Sequence, residues 1–286
     1  MLLILSAIWG SAFIAIKVSL EYFAPVSVAS YRLIIASIFL LIFYIIGQYK
    51  TLLSKKDLLM LIFVGVVGNF LPFYLISWSE QFIQSSTAGI LMGIGPILTL
   101  VLSHFLTKDD RINSVKLISI IVGFIGVLFI FEIDSLFSFH SSNSIQLISK
   151  FLIIIAALGY MISNIVAYNT LKHIDSFSIT FFATLFGALI SIPFLIFSEF
   201  NQPSYFSIKS ILPILYLGIF PTALAFQLRY HITKTSGPVF LSYVAYLIPI
   251  FALIWGFILL SEKIYLSSIV GITLILIGVY IGRKNQ

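Results

Sequence analysis

Cysteine is absent from this 286-residue chain. That removes disulfides, thiol catalysis and cysteine-ligated metals from consideration. Charge is nearly as scarce: 9% of residues are Asp, Glu, Lys or Arg, where a soluble domain carries roughly a quarter. No Asp or Glu falls in the middle of an apolar run, so the chain lacks the buried carboxylate that often relays protons in carriers. No phosphate-binding Gly-Lys-Ser/Thr loop occurs, which excludes direct drive by ATP. His104, His140, His173 and His231 have no metal-ligand spacing, and no cofactor or metal is expected.

What the chain has in abundance is hydrocarbon. It is 60% hydrophobic with a mean hydropathy of +1.13, which describes a polytopic integral membrane protein. The net charge of +6 then reads as basic loops on the cytoplasmic side, and no nucleic-acid partner is expected. The first apolar run starts at Leu2 with no basic stretch before it, so it is read as a retained first span.

A bilayer core needs about 20 apolar residues per helix. Polar clusters divide the chain into ten such stretches: 2–20, 26–47, 58–78, 84–106, 114–131, 146–170, 177–198, 209–230, 236–260 and 265–282. With the N-terminus inside, Lys50, Lys55, Lys56, Lys108, Arg111, Lys116, Lys172, Arg229, Lys234, Arg283 and Lys284 fall on the cytoplasmic side. Lys150, Lys209 and Lys263 fall opposite. Eleven against three places both termini in the cytoplasm.

The same pattern occurs twice. Residues 58–100 moved forward by 153 positions fall on 211–253 without a gap: Gly65 meets Gly218, Phe73 meets Phe226, and Pro96-Ile97 meets Pro249-Ile250. After a one-residue slip Asp110 meets Glu262, and Gly126-Val127 meets Gly278-Val279. Coincident Gly and Pro mark close packing and kinks, so the match is more than shared greasiness. Five spans per copy is an odd number, so the second copy is inverted. The expected fold is an all-α membrane protein of ten transmembrane helices in two inverted five-helix repeats: 1–131, a connecting loop at 132–145, and 146–286. Inverted repeats of this kind build transporters with a midplane site.

Trp9-Gly10-Ser11, Lys17, Pro25 and Arg32 follow in order along the first two spans. Pro96, Asp109-Asp110, Gly123 and Gly126-Val127 close the first copy, and Pro249, Glu262, Gly271 and Gly278-Val279 close the second. These residues resemble the signature of the EamA domain, in the drug/metabolite transporter superfamily. The resemblance covers essentially the whole chain and implies ten helices that move small organic solutes. The first copy departs from it, with Lys108-Asp109-Asp110 where the family usually has Glu.

Lys17 and Arg32 interrupt apolar runs. They suit either a vestibule for carboxylate or phosphate groups, or snorkelling and pairing with Glu21 or Glu80. Trp9, Asn69, Tyr74, Asn164, Tyr168, Gln227, Tyr230, Tyr243 and Tyr246 suit an aromatic-walled pocket with a few polar anchors. Their alternative roles are interfacial belts, as for Trp78 and Tyr230, and helix-to-helix hydrogen bonds. Gly89-x-x-x-Gly93 suits close helix packing. Pro96 and Pro249 are read as equivalent kinks with a gating role. The function expected is a secondary transporter of amino acids or related amphiphilic solutes in the cytoplasmic membrane. An exchanger of anionic metabolites, with Lys17, Arg32 and Arg229 as clamps, is the alternative; a lipid-acting enzyme is disfavoured by the dispersed carboxylates. The partners are a small solute and the lipid bilayer, with oligomeric state open.

Overall fold

A computed structural model describes residues 1–83, 85–107, 112–130, 144–202, 204–260 and 266–283. The joining loop 132–143 and the residues Lys108, Asp109, Asp110, Arg111, His140, Glu262 and Lys263 lie outside the described residues. Everything described is helix or short connection. Six helices are long and apolar enough to cross a bilayer, and four shorter apolar helices fill the remaining positions.

The helices are α1 (Leu2–Ser19), α2 (Pro25–Ile46), α3 (Lys55–Gly65, Val66–Phe70 and Leu71–Ser79) and α4 (Ser85–Met92 and Gly95–Leu106). They continue with α5 (Ser114–Ile130), α6 (Ser144–Thr170) and α7 (Ser176–Asn201). Helix α8 comprises Ile208–Leu217, Gly218–Leu224 and 225–236; α9 comprises 238–242 and Val244–Leu260; α10 is Leu266–Arg283.

One boundary differs from the sequence expectation. The polar cluster His231–Thr235 is not a loop, because α8 runs straight through it. The turn comes at Gly237, whose φ of 82° and ψ of 164° suit only glycine, followed by Pro238. Arg229 is therefore inside the helix bundle and not at its edge, so it no longer counts among the loop cations.

Equivalent helices start and bend alike. Ser54 and Asp57 form a capping box at the start of α3, and Ser207 and Ser210 do the same for α8, again 153 positions apart. Each of these helices carries one π-helical turn, Val66–Phe70 in α3 and Gly218–Leu224 in α8, at matching register. Helix α4 is broken after Met92, and α9 is broken after Ser242, close to its start. Pro96 sits in the first turn of the second half of α4, where its missing N–H costs nothing. The bend expected at Pro96 thus belongs to the residues just before it, while Pro249 lies inside a continuous helix.

Equivalent helices also pair with each other, antiparallel. Ser27 of α2 donates to Glu199 of α7 (2.7 Å), and Tyr44 stacks on Phe181 at the other end (4.7 Å). Between α5 and α10, a Cβ on Gly126 would meet the Gly271 carbonyl at 2.7 Å. One on Gly278 would meet the Ser119 carbonyl at 2.6 Å. These glycines let two backbones touch, which is how helices associate where no hydrophobic effect drives them together. Gly126→Leu should force α5 and α10 apart, at a cost of about 1–3 kcal/mol. A lower melting temperature in detergent, with retained helicity, is the expected result.

Candidate functional site

The first helix of each half packs on the third and fourth helices of the other, and a cavity of about 120 Å³ lies where they meet. Three pairs of equivalent positions face it: Ile76 and Arg229, Met92 and Ala245, Gly95 and Ile248. Trp9, Phe13, Arg32, Phe73, Tyr160 and Asn164 complete its most reactive surface. The volume suits a small solute rather than a drug-sized one.

Two guanidinium groups dominate the wall, and their surroundings differ. Arg229, 1% exposed, is almost fully spoken for. Its Nε donates to Asn164 Oδ1 (2.7 Å), Nη1 to the Gly68 carbonyl (3.1 Å), and Nη2 to Ser163 Oγ (2.8 Å) and the Tyr160 carbonyl (3.4 Å). The rings of Tyr160, Phe226 and Tyr230 stand 5.0–5.2 Å from its Cζ, close enough for cation–π attraction.

Arg32 is also buried, but it is open at its tip. Its Nε donates to Thr222 Oγ1 (3.0 Å), and the guanidinium carbon lies over Phe73, 3.6 Å from the ring centre. Nη1 and Nη2 have no partner among the described residues and are not sealed from the cavity. Glu80 attracts Arg32 across a longer gap, and no described carboxylate stands within ion-pair distance of its guanidinium. The Asn164 Nδ2 amide, the Tyr160 hydroxyl and the Thr99 hydroxyl are likewise unpartnered and line the same space. Arg229 donating to Asn164 Oδ1 fixes which way that amide points. The free groups are a cation, an amide donor and two hydroxyls, and the described lining contains no carboxylate.

Of the residues expected from sequence, Trp9, Arg32 and Asn164 face the cavity. The others lie elsewhere in this conformation. Lys17 is exposed near the end of α1. Tyr74 packs between two apolar clusters, and Tyr168 lies under the Lys172 ammonium at 3.8 Å. Gln227 accepts from Thr180 (3.0 Å) on α7; Tyr243 bonds Ser119 (2.6 Å), and Tyr246 donates to the Ile120 carbonyl (2.9 Å), both on α5. Tyr230 and Asn69 are buried with no partner for their polar atoms among the described residues. Pro96 and Pro249 are buried beside the cavity rather than in its wall. Sequence reasoning missed Tyr160 and Phe73, and it counted Arg229 with the cytoplasmic cations while offering it as an anion clamp only in the alternative reading. Tyr160 was findable: it lies four residues before Asn164, on the same helix face.

Comparison with known proteins decides the family. The EamA-like transporter family matches residues 1–132 and 147–282, two copies that together cover nearly the whole chain. The chain belongs to the EamA-like transporter family. It is thus a multi-pass membrane transporter and not an enzyme. Among relatives, it is 28% identical over 278 residues to an uncharacterized transporter of Archaeoglobus fulgidus, covering 97% of this chain and 95% of that one. It is 30% identical over 291 residues to the Bacillus subtilis protein named uncharacterized transporter YetK, covering 98% and 85%. A solved structure titled only "Crystal structure of protein" shares the EamA fold with a TM-score of 0.76 over 97% of this chain and 94% of that chain, at 15% identity.

The two arginines should respond differently to removal. Arg229→Met leaves Gly68, Asn164 and Ser163 without their donor inside a bilayer, at about 1–3 kcal/mol per buried acceptor. Arg32→Met loses one hydrogen bond, about 1 kcal/mol. Thermal melts in detergent should therefore show a large drop for Arg229→Met and a small one for Arg32→Met.

Proposed function

We propose that this EamA-family protein is a secondary transporter of a small amphiphilic organic solute bearing an anionic group, most simply a carboxylate. It carries that solute across the cytoplasmic membrane by alternating access of two inverted five-helix repeats. The observation that carries the reading is the open tip of Arg32, flanked by unpartnered donors in a cavity without a described carboxylate. A buried cation in this setting is costly unless something answers its charge. A carboxylate does so through two parallel hydrogen bonds that match the guanidinium fork. The walls of Trp9, Phe13, Phe73 and Tyr160 give an apolar body its place.

This reading joins two expectations from the sequence, an amphiphilic solute and an anionic one. Arg32 and Asn164 are the polar anchors, and Trp9 is a wall. Antiparallel pairing of equivalent helices supports the inverted arrangement, and the broken helices α4 and α9 beside the cavity support rocking around a midplane site. Pro96, just after the break in α4, and Pro249, within the second part of α9, serve as gating elements. The domain limits 1–131 and 146–286, and both termini in the cytoplasm, belong to the same proposal; the excess of basic residues in the inner loops supports the orientation.

Purified protein in liposomes tests the solute class with a panel of small carboxylic acids and their methyl esters. Charge-assisted hydrogen bonds of roughly 1.5–3 kcal/mol predict that an accepted acid binds about 10- to 150-fold better than its ester. Arg32→Gln should remove that preference while leaving the protein folded. Equal affinity for acid and ester across the panel would overturn the reading. For the gating proline, Pro249→Ala should slow exchange several-fold with little change in solute affinity, and an unchanged exchange rate would count against the assignment.

A further inference from the structure

The two π turns are bound to the cavity by side chains that reach across from the opposite half. In α3 the Leu71 N–H bonds the Val66 carbonyl, the five-residue step of a π turn. The next residue is Pro72, which has no N–H, so the Gly68 carbonyl loses its ordinary helical partner. Arg229 Nη1, from the second half, donates to it at 3.1 Å. In α8 the Ala225 N–H bonds the Phe220 carbonyl, so the Pro221 carbonyl is the one released. Trp9 Nε1, from the first half, donates to it at 3.0 Å.

Gly68 and Pro221 are 153 positions apart, the repeat offset itself. Each half therefore leaves a carbonyl without a helical partner at the same register, through the π turn in α8 and through Pro72 in α3, and each is held by a cavity-lining residue of the other half. The hold on α3 is positional, since Gly68 lacks a helical donor in either winding and Arg229 pins its carbonyl where the π turn sets it. The two turns are not equally settled. Beside Pro221, Thr222 donates to the Leu217 carbonyl (2.7 Å) and accepts from Arg32. Beside Gly68, Asn69 is fully buried, with neither end of its amide partnered among the described residues. The α3 turn is thus held in place while leaving a polar group unsatisfied, which makes it the readier of the two to rewind.

We propose that Trp9 and Arg229 are positioning residues that latch the π turns of α8 and α3 from inside the cavity. Winding of these two helices is thereby linked to what the cavity holds. An anion that draws hydrogen bonds from Arg229 weakens its hold on Gly68. Rewinding the π turn to α geometry then rotates the C-terminal part of α3, including Phe73 and Ile76 of the cavity wall, against the part before it. The coupling to an anion rests on the proposed function; the latches themselves do not.

The cysteine-free chain gives a direct test. Single cysteines at Ile76→Cys and Leu241→Cys, toward opposite ends of the cavity, are labelled with a water-soluble thiol reagent without any solute. The ratio of the two labelling rates reports which end is open. Trp9→Phe keeps the ring but removes the N–H to Pro221. Arg229→Lys keeps the charge but loses the fork that reaches Gly68. The latches act on opposite halves, so the two variants should move the ratio in opposite directions, each by fivefold or more. Pro72→Ala, which offers the Gly68 carbonyl an N–H only once the turn has rewound to α geometry, should act in the same sense as Arg229→Lys and stands in for it should that variant not fold. Shifts of the same sign for Trp9→Phe and the α3 variants, or no shift, would overturn the proposal. Because no solute is present, that result is separate from failure of the acid–ester comparison.

Discussion

A carbonyl released inside a bilayer has no water to turn to, so some donor in the protein must meet it. The Gly68 carbonyl, met by Arg229, is where this constraint bears hardest on the chain. Pro72, just after the π turn, removes the helical partner, and the replacement comes from a helix in the other half. The guanidinium that supplies it would itself be intolerable in hydrocarbon without acceptors. Asn164, Ser163 and the Tyr160 carbonyl provide them, which ties α3, α6 and α8 into one polar knot beside the cavity. The position of the cavity follows from that knot.

The two arginines divide the work that charge does in this core. Arg229 spends its donors on the protein and holds helices together. Arg32 spends one donor on Thr222, rests its face on Phe73, and leaves its tip free. Phe73 and Phe226, equivalent by the repeat, stand 5.5 Å apart between the two cations. Their ring faces provide electron density that partly answers two positive charges without any carboxylate in the described wall. An aromatic bridge of this kind keeps the site cationic, where an ion pair would have neutralised it.

Much of the architecture was legible in the sequence because it is written in hydrophobicity and in glycine and proline. The ten apolar stretches correspond to the observed helices, and the offset of 153 marks the matching caps and π turns. The exception at α8 is instructive. His231, Lys234 and Thr235 look like a loop, yet they are helical: Lys234 reaches the Ile174 carbonyl, and Thr235 bonds back to the His231 carbonyl. Turn-to-turn hydrogen bonds of this sort satisfy polar side chains at a helix end, so polarity alone misplaces the boundary. The site was less legible. Whether Asn164, Gln227 or Tyr243 faces a cavity or a neighbouring helix depends on packing between residues 47 to 124 positions apart, and no periodicity records it. Only Asn164 proved to face inward.

The asymmetry of the site has a more specific source than the mismatches at Asn69, Tyr74 and Ile90 suggested. Thr222, Gln227 and Tyr243, their counterparts, are occupied with Arg32, α7 and α5 respectively. The decisive mismatch is Ile76 against Arg229. Both positions line the cavity, and the repeat makes them equivalent, yet one is aliphatic and the other cationic. A wall built by two matching halves would present a solute with two matching ends. One arginine on α8 and another on α2 break that symmetry, so a solute with an anionic head and an apolar body has one preferred way to lie. In the proposed alternating access the frame would exchange shape between its halves, but these charges would not exchange with it. The solute would then meet a different electrostatic end of the site on each side of the membrane, and that difference is built into the sequence rather than into the motion.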